Sequence, residues 1–280
     1  MGWHGHLRLD YRSDRLAGAP RTVVLDRHDG PLRVLASLYP ESPRVCHNVL
    51  VHPPGGVVGG DELDIDVHLA AGSHALITTP GATRFYRSAG ETAVQRLTAR
   101  VEAGARLEWL PLETLAYSGC EARNQMRFEL AAGAEMMGWD LLALGLPASG
   151  LGFERGRFDQ SIELPGRWLE RGRIDASDRR LLDSPLGWAG HRVLGTLWLA
   201  APGALVPSRR DALLESAREL AAGHPLQRSA GATAPHDDVV VLRALAPRVE
   251  PLMALFAQVW SRWRTQAWGL PACAPRVWRT

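Results

Sequence analysis

Asp61, Glu62, Asp64 and Asp66 crowd into six residues at the end of HPPGGVVGGDELDID, a run that begins at His52. Carboxylates at that density can supply oxygen ligands to a divalent cation or a pair for general acid and base work. A solvated acidic edge has the same composition. Other carboxylates keep more apolar company. Glu108 and Glu113 flank Trp109-Leu110-Pro111, and Asp140 lies in MMGWDLLALG, where its charge should be partly buried. A buried carboxylate needs an arginine, a file of water or a cation beside it. Oxygen donors with scattered histidines and no paired cysteines suit a labile path for a divalent ion better than a tight structural site.

Other chemistries find less support. Gly55 to Gly60 has the glycine spacing of a phosphate-binding loop. Asp61 and Glu62 then follow where that loop needs Lys and Ser or Thr, and two carboxylates repel a phosphate. Ser149 in PASGLG and Ser184 in DSPLG have no nucleophile-elbow context. Ten histidines form no HExxH and there is no CxxC. His4 and His6 share one face of a strand as a solvated pair, while His47, His52, His68 and His74 read as satisfied or exposed singles. Cys46, Cys120 and Cys273 are odd in number and far apart, a poor disulfide framework.

The 280 residues are 46% hydrophobic and 22% charged, ordinary for a globular protein with a substantial core. A net charge of +2 argues against nucleic acid or a membrane surface as the main partner. No lysine occurs, so all 32 basic residues are arginine, and there are ten tryptophans. Both residue types are enriched in protein interfaces, although arginine for lysine also follows from genome composition. The N-terminal stretch lacks a hydrophobic signal core and no apolar run reaches the ~18 residues of a membrane span, so a cytoplasmic location is expected.

The elements that must hold the carboxylates are mostly strands. Leu63, Ile65, Val67 and Leu69 alternate with Asp64, Asp66 and His68, which is the period of a half-buried strand with its carboxylates outward. A turn at Ala71-Gly72-Ser73 leads into a second strand over 75–79. That turn recurs as Ala103-Gly104-Ala105 and Ala132-Gly133-Ala134, 32 and 29 residues on, with Ala201-Pro202-Gly203-Ala204 as a degenerate fourth copy. A period near 30 with strands and tight turns predicts stacked β layers, each burying its face on the next.

From residue 207 the pattern changes. Ser208, with Asp211 three residues on, is placed to cap a helix whose stripe of Leu213, Leu214, Ala217, Leu220 and Ala221 stops at Gly223. His224 to Asp238 reads as a surface loop and Val239 to Leu242 as a short buried strand. A second helix from about Pro247 places Leu252, Leu255, Phe256, Val259, Trp260 and Trp263 on one face. The expected fold is mainly β, β-helix-like stacked sheets with a small helical C-terminal portion. A single domain over 1–280 is expected, with a β-layered body to 206 and two helices and a closing strand after it.

Six stretches of the chain resemble the UreD family of urease accessory proteins, also called UreH. They are GPL from Gly30, HPPGGVVGGDELDI from His52, ITTPGATRFYRS from Ile77, LEWLPLETLAYSG from Leu107, WDLLALG from Trp139 and PRVWRT from Pro275, in family order. The resemblance implies a urease maturation factor that is not itself an enzyme. A β-helical body with a pair of helices would bind UreF, which recruits the GTPase UreG, and the complex would dock on apo-urease. Nickel would travel transiently through a passage in the β body, with no tightly bound cofactor. Asp61, Glu62, Thr83 and Asp140 match positions proposed to line that passage in the family, and of these Asp61 falls in the specific GGD signature.

The chain also departs from the family pattern. Gly145 to Leu151 stands where many members read GRxAxGE, so an arginine and a glutamate are missing. Leu112 replaces a glutamine after WLP, and Arg84 replaces a lysine before FYR. The residues also admit a carbohydrate-active β-helix hydrolase using paired carboxylates, or a structural adaptor without an ion passage.

Overall fold

The computed structural model describes residues 2–16 and 18–279; Thr280, which closes the PRVWRT stretch, lies outside them, as do Met1 and Ala17. The chain runs β1 (His4–Leu16), β2 (Ala19–Asp29), β3 (Arg33–Val34), β4 (Val45–Val51), β5 (Glu62–Leu69), β6 (His74–Thr78), β7 (Thr83–Phe85), β8 (Ala93–Val101), β9 (Arg106–Trp109) and β10 (Thr114–Ala116). It continues β11 (Cys120–Leu130), β12 (Glu135–Leu144), β13 (Gly156–Leu164), β14 (Trp168–Asp175), α1 (Arg179–Asp183), β15 (Val193–Ala200), α2 (Pro207–Ala222), β16 (Ala230–His236), β17 (Val239–Ala246) and α3 (Val249–Trp268).

Two large sheets result, one ordered β14-β13-β11-β8-β5-β1-β2 and the other β16-β17-β15-β12-β9-β6-β4-β3. Between β5 and β13 the chain crosses from sheet to sheet, and each long strand lands parallel to the one a layer earlier. The short strands β7 and β10 extend the second sheet sideways, parallel to one another and to the end of β12. This is the stacked, mainly β architecture that the recurring Ala-Gly turns predict.

Those turns explain the stacking. Gly72, Gly104, Gly133 and Gly203 adopt φ of 74°, 72°, 78° and 69°, left-handed values that a side chain rarely tolerates. The Gly104 N–H donates to the Gly133 carbonyl at 3.0 Å, and the Gly133 N–H donates to the Pro202 carbonyl at 2.8 Å. The degenerate fourth copy therefore joins the ladder, although the strand before it, β15, runs antiparallel to β12.

Two apolar layers hold the molecule together. One lies between the sheets, with Leu7, Leu63, Leu97, Phe128, Phe158 and Met136. The other joins the second sheet to the helices, with Trp139, Leu141, Leu197, Leu252, Phe256 and Trp260. Strand β12 is buried on both faces, so its alternation sends Trp139 toward the helices and Met136, Asp140 and Leu142 toward the space between the sheets.

Three expectations need correction. Helix α2 starts with Pro207 at its first position, after a Val206 cap that makes no side-chain bond, so Ser208 lies inside the helix. Residues 230–236 form β16, a strand of small residues paired along β17, where the sequence suggested only loop. The short helix α1 was not anticipated. The stripe on α3 from Leu252 to Trp263 is buried as expected.

A buried ionic cluster locks α3 to the layers. Glu108 is fully buried and meets His74 Nε2 at 2.8 Å, Trp260 Nε1 at 2.7 Å and Arg264 Nε at 3.2 Å. Arg264 reaches on to both oxygens of Glu41 at 2.6 and 2.7 Å, and His47 meets Glu41 at 2.8 Å. Burial alone would raise the Glu108 carboxyl, but His74, Arg264 and Trp260 outweigh it and hold the group below the ordinary range.

Candidate functional site: a polar interior between the sheets

Three loops frame a cavity of ≈ 240 Å³ that enters the space between the sheets. The first, with Gly55 and Gly56, follows β4; the second is Thr79 to Arg84, and the third contains Pro111 and Leu112. Their close fit begins with Gly56, where an added Cβ would lie 2.1 Å from the Tyr86 ring. The Thr79 hydroxyl donates to the Gly81 carbonyl at 3.0 Å and accepts the Leu112 N–H at 2.9 Å, tying the second loop to the third. From below, Trp139 Nε1 donates to the Pro111 carbonyl at 2.6 Å.

Thr83 and Asp140 both line this cavity, with His52, Gln95 and Asn124 as further polar lining. Asp140 is 5% exposed and accepts a hydrogen bond from Gln160 Nε2. Burial pushes its carboxyl up to about 7, Gln160 partly offsets that, and the charge of Glu170 adds to it. His52 is half-buried, and its ring has no hydrogen-bond partner among the described residues. Burial lowers its pKa, opposed by Asp61, so the imidazole is neutral at physiological pH with a free lone pair.

The structure does not bring Asp61 and Glu62 to the cavity lining. The Asp61 carboxylate accepts the backbone N–H of Trp3 at 2.8 Å and of Val58 at 3.0 Å, so it ties the glycine-rich loop to the N-terminal segment. Glu62 begins β5 on its outward face and pairs with Arg96 at 2.8 Å. Asp64 and Asp66 also point outward, onto His4 at 2.7 Å and His6 at 2.8 Å. Two of the family departures, Arg84 and Leu112, do lie in the lining.

Polar groups continue past the inner end of the cavity. Gln95, Asn124 and Gln160 sit side by side on β8, β11 and β13, and Gln95 Nε2 donates to Asn124 Oδ1 at 3.3 Å. On the facing sheet Asp140, Thr196 and Arg243 stand in register on β12, β15 and β17. Glu170 of β14 joins the two rows, accepting from the Thr196 hydroxyl at 2.9 Å and from Arg243 Nε at 2.6 Å. The space between packed sheets is ordinarily apolar, so two facing polar rows depart from a local rule, which marks a functional or strained site. Asn124, Gln160, Glu170, Thr196 and Arg243 escaped the sequence reading. Their signal was period-2 alternation: Ala122, Asn124, Met126 and Phe128 share one face of β11, and Phe158, Gln160, Ile162 and Leu164 share one face of β13.

Among the described residues no group of three or more His, Cys, Asp or Glu side chains is placed to hold a metal ion. What the interior offers is a succession of single oxygen donors and one neutral imidazole, a set that can receive a divalent cation and release it. Asp140 is the one carboxylate of the cavity lining, so paired-carboxylate hydrolysis has no pair here among the described residues. Also among them, no helix is long and apolar enough to cross a membrane.

A family model described as "UreD urease accessory protein" matches residues 4–279. Among curated proteins, the urease accessory protein UreD of Leptothrix cholodnii is 64% identical over 280 residues, covering 100% of each chain. Those of Variovorax paradoxus and Methylibium petroleiphilum are each 59% identical, again over 100% of each chain.

Proposed function

As the chain belongs to the UreD family of urease accessory proteins and so serves urease maturation, we propose that it does so as a docking scaffold that conducts nickel through its polar interior. Nickel is cargo in this reading. It enters between the loops at His52 and Thr83, passes Gln95 and Asn124, and meets Asp140. The single observation that carries the reading is Asp140, a carboxyl buried between two sheets whose neighbouring strands continue the polar row.

Asp140 suits transit. At neutral pH it is poised between its two protonation states, so an arriving cation displaces a proton and a departing one lets it return. Thr83 offers a neutral oxygen and His52 a neutral nitrogen. Neither holds a divalent ion strongly alone, and a conducting path needs sites weak enough to leave. Asp61 acts by shaping the entrance loop, through Trp3 and Val58, rather than as a ligand.

Docking supplies the rest of the reaction. UreF binds the helical C-terminal third, UreG joins through UreF and brings GTP dependence, and apo-urease receives the nickel. The chain itself carries out no catalysis in this scheme. The test is the nickel content and activity of urease co-expressed with its accessory proteins and either the native chain, D140N or T83V. Co-purification is the control. Complexes that assemble yet leave urease short of nickel support the passage; full loading with both variants refutes it and leaves a pure adaptor.

A further inference from the structure

The polar interior reaches the surface at its far end, and an arginine stands there. Glu170 is the outermost carboxylate of the row and its side chain is 22% exposed. Arg243 covers it, with Nε at 2.6 Å and Nη2 at 2.5 Å from Oε2, while the other oxygen is held by Thr196 at 2.9 Å. The guanidinium also lies over the Trp168 ring at 5.9 Å. From Asp140 outward, each group named on the path is neutral or acidic until Arg243. A fixed positive charge on the last oxygen ligand of such a row both occupies that ligand and repels an approaching divalent ion.

We propose that Arg243 closes the far end of the interior against cations. The inference rests on the interior being a cation path and adds the group that controls its exit. Arg243 is 40% exposed, so its head can leave Glu170 for solvent without disturbing the core. The competing explanation is mechanical: the pair merely ties β17 to β14 across the edge of the sandwich.

A charge-sensitive probe separates the two. Thr196→Cys, in a background with Cys273→Ser to remove the half-exposed native thiol, places a thiol beside the pair. Mass spectrometry follows its modification by cationic 2-aminoethyl methanethiosulfonate and by the anionic 2-sulfonatoethyl reagent. In R243Q the cationic reagent should gain on the anionic one by about tenfold, because losing a unit charge roughly 6 Å away shifts the two reagents about threefold each in opposite directions even at the dielectric of water. R243K should keep the native ratio. Equal acceleration of both reagents, or no change in either, overturns the proposal. Should R243Q fail to fold, Arg243→Met keeps a stem on Trp168 and serves the same comparison. No nickel enters this assay, so its failure is distinct from failure of the passage reading, which D140N judges through urease loading.

Discussion

Replacing Asp140 by asparagine should stabilise the protein while stopping its work. Folding takes the carboxyl from 3.8 to about 7, so the folded state keeps a proton that the unfolded chain gives up. The contribution is fully present below about pH 4 and is lost as pH rises through about 7. Above that, ionised Asp140 in the folded protein costs about 4 kcal/mol, at 1.36 kcal/mol for each pH unit of difference. Asparagine keeps an oxygen for Gln160 and carries no charge at any pH. D140N should therefore gain on the native chain by roughly 2–3 kcal/mol between about pH 5 and pH 8.5. Urea titrations at the two pH values measure that gap directly, and thermal melting at the higher pH should rise by roughly 5–10 °C. A gap that does not change with pH, or a variant less stable at both values, would refute the account of Asp140 as a strained buried acid. Stability gained together with nickel transfer lost is the signature of a residue kept for function.

The buried cluster makes the opposite prediction: R264A leaves fully buried Glu108 with only His74 and Trp260, and Glu41 with His47, and should cost about 3–5 kcal/mol, read as a lower urea midpoint. Gly195→Ala would put a Cβ 2.2 Å from Leu252 Cδ2 and 2.8 Å from the Phe256 ring, where α3 packs on β15. It should cost about 1–3 kcal/mol and weaken capture of UreF in a pull-down, since the helix must lift to make room. T83V keeps the shape of the cavity rim, should melt like the native chain, and should slow nickel loading of urease about fivefold, the worth of one ligand of roughly 1 kcal/mol.

The architecture was legible because its causes are local. An alternating strand from Leu63 to Leu69 and turns that demand glycine at a fixed period are properties of short windows, and stacking follows once each layer has a face to bury. Strand β16 was not legible, because AGATAPH carries no apolar signal and is held by its backbone partners on β17. Of the site, Asp140 stood out as a lone charge in an apolar run. Asp61 lies outside the cavity lining and clamps two backbone N–H groups, a structural task that its place in a glycine-rich motif did not reveal. Gln95, Asn124 and Gln160 are ordinary surface residues by type. Only their shared inward register, on strands separated by long stretches of chain, makes them a row.

That register has a consequence for how such a molecule can change. Neighbouring strands in a sheet lie about 4.8 Å apart, so Gln95, Asn124 and Gln160 form evenly spaced rungs. The spacing belongs to the backbone, and no side chain has to move to preserve it. A one-residue insertion inside β8, β11 or β13 would turn its rung to the outer face and break the series. Insertions in the connections between layers would leave every rung where it is. The connections are thus free to vary in length and sequence, while the polar row between the sheets is inherited as a fixed gauge.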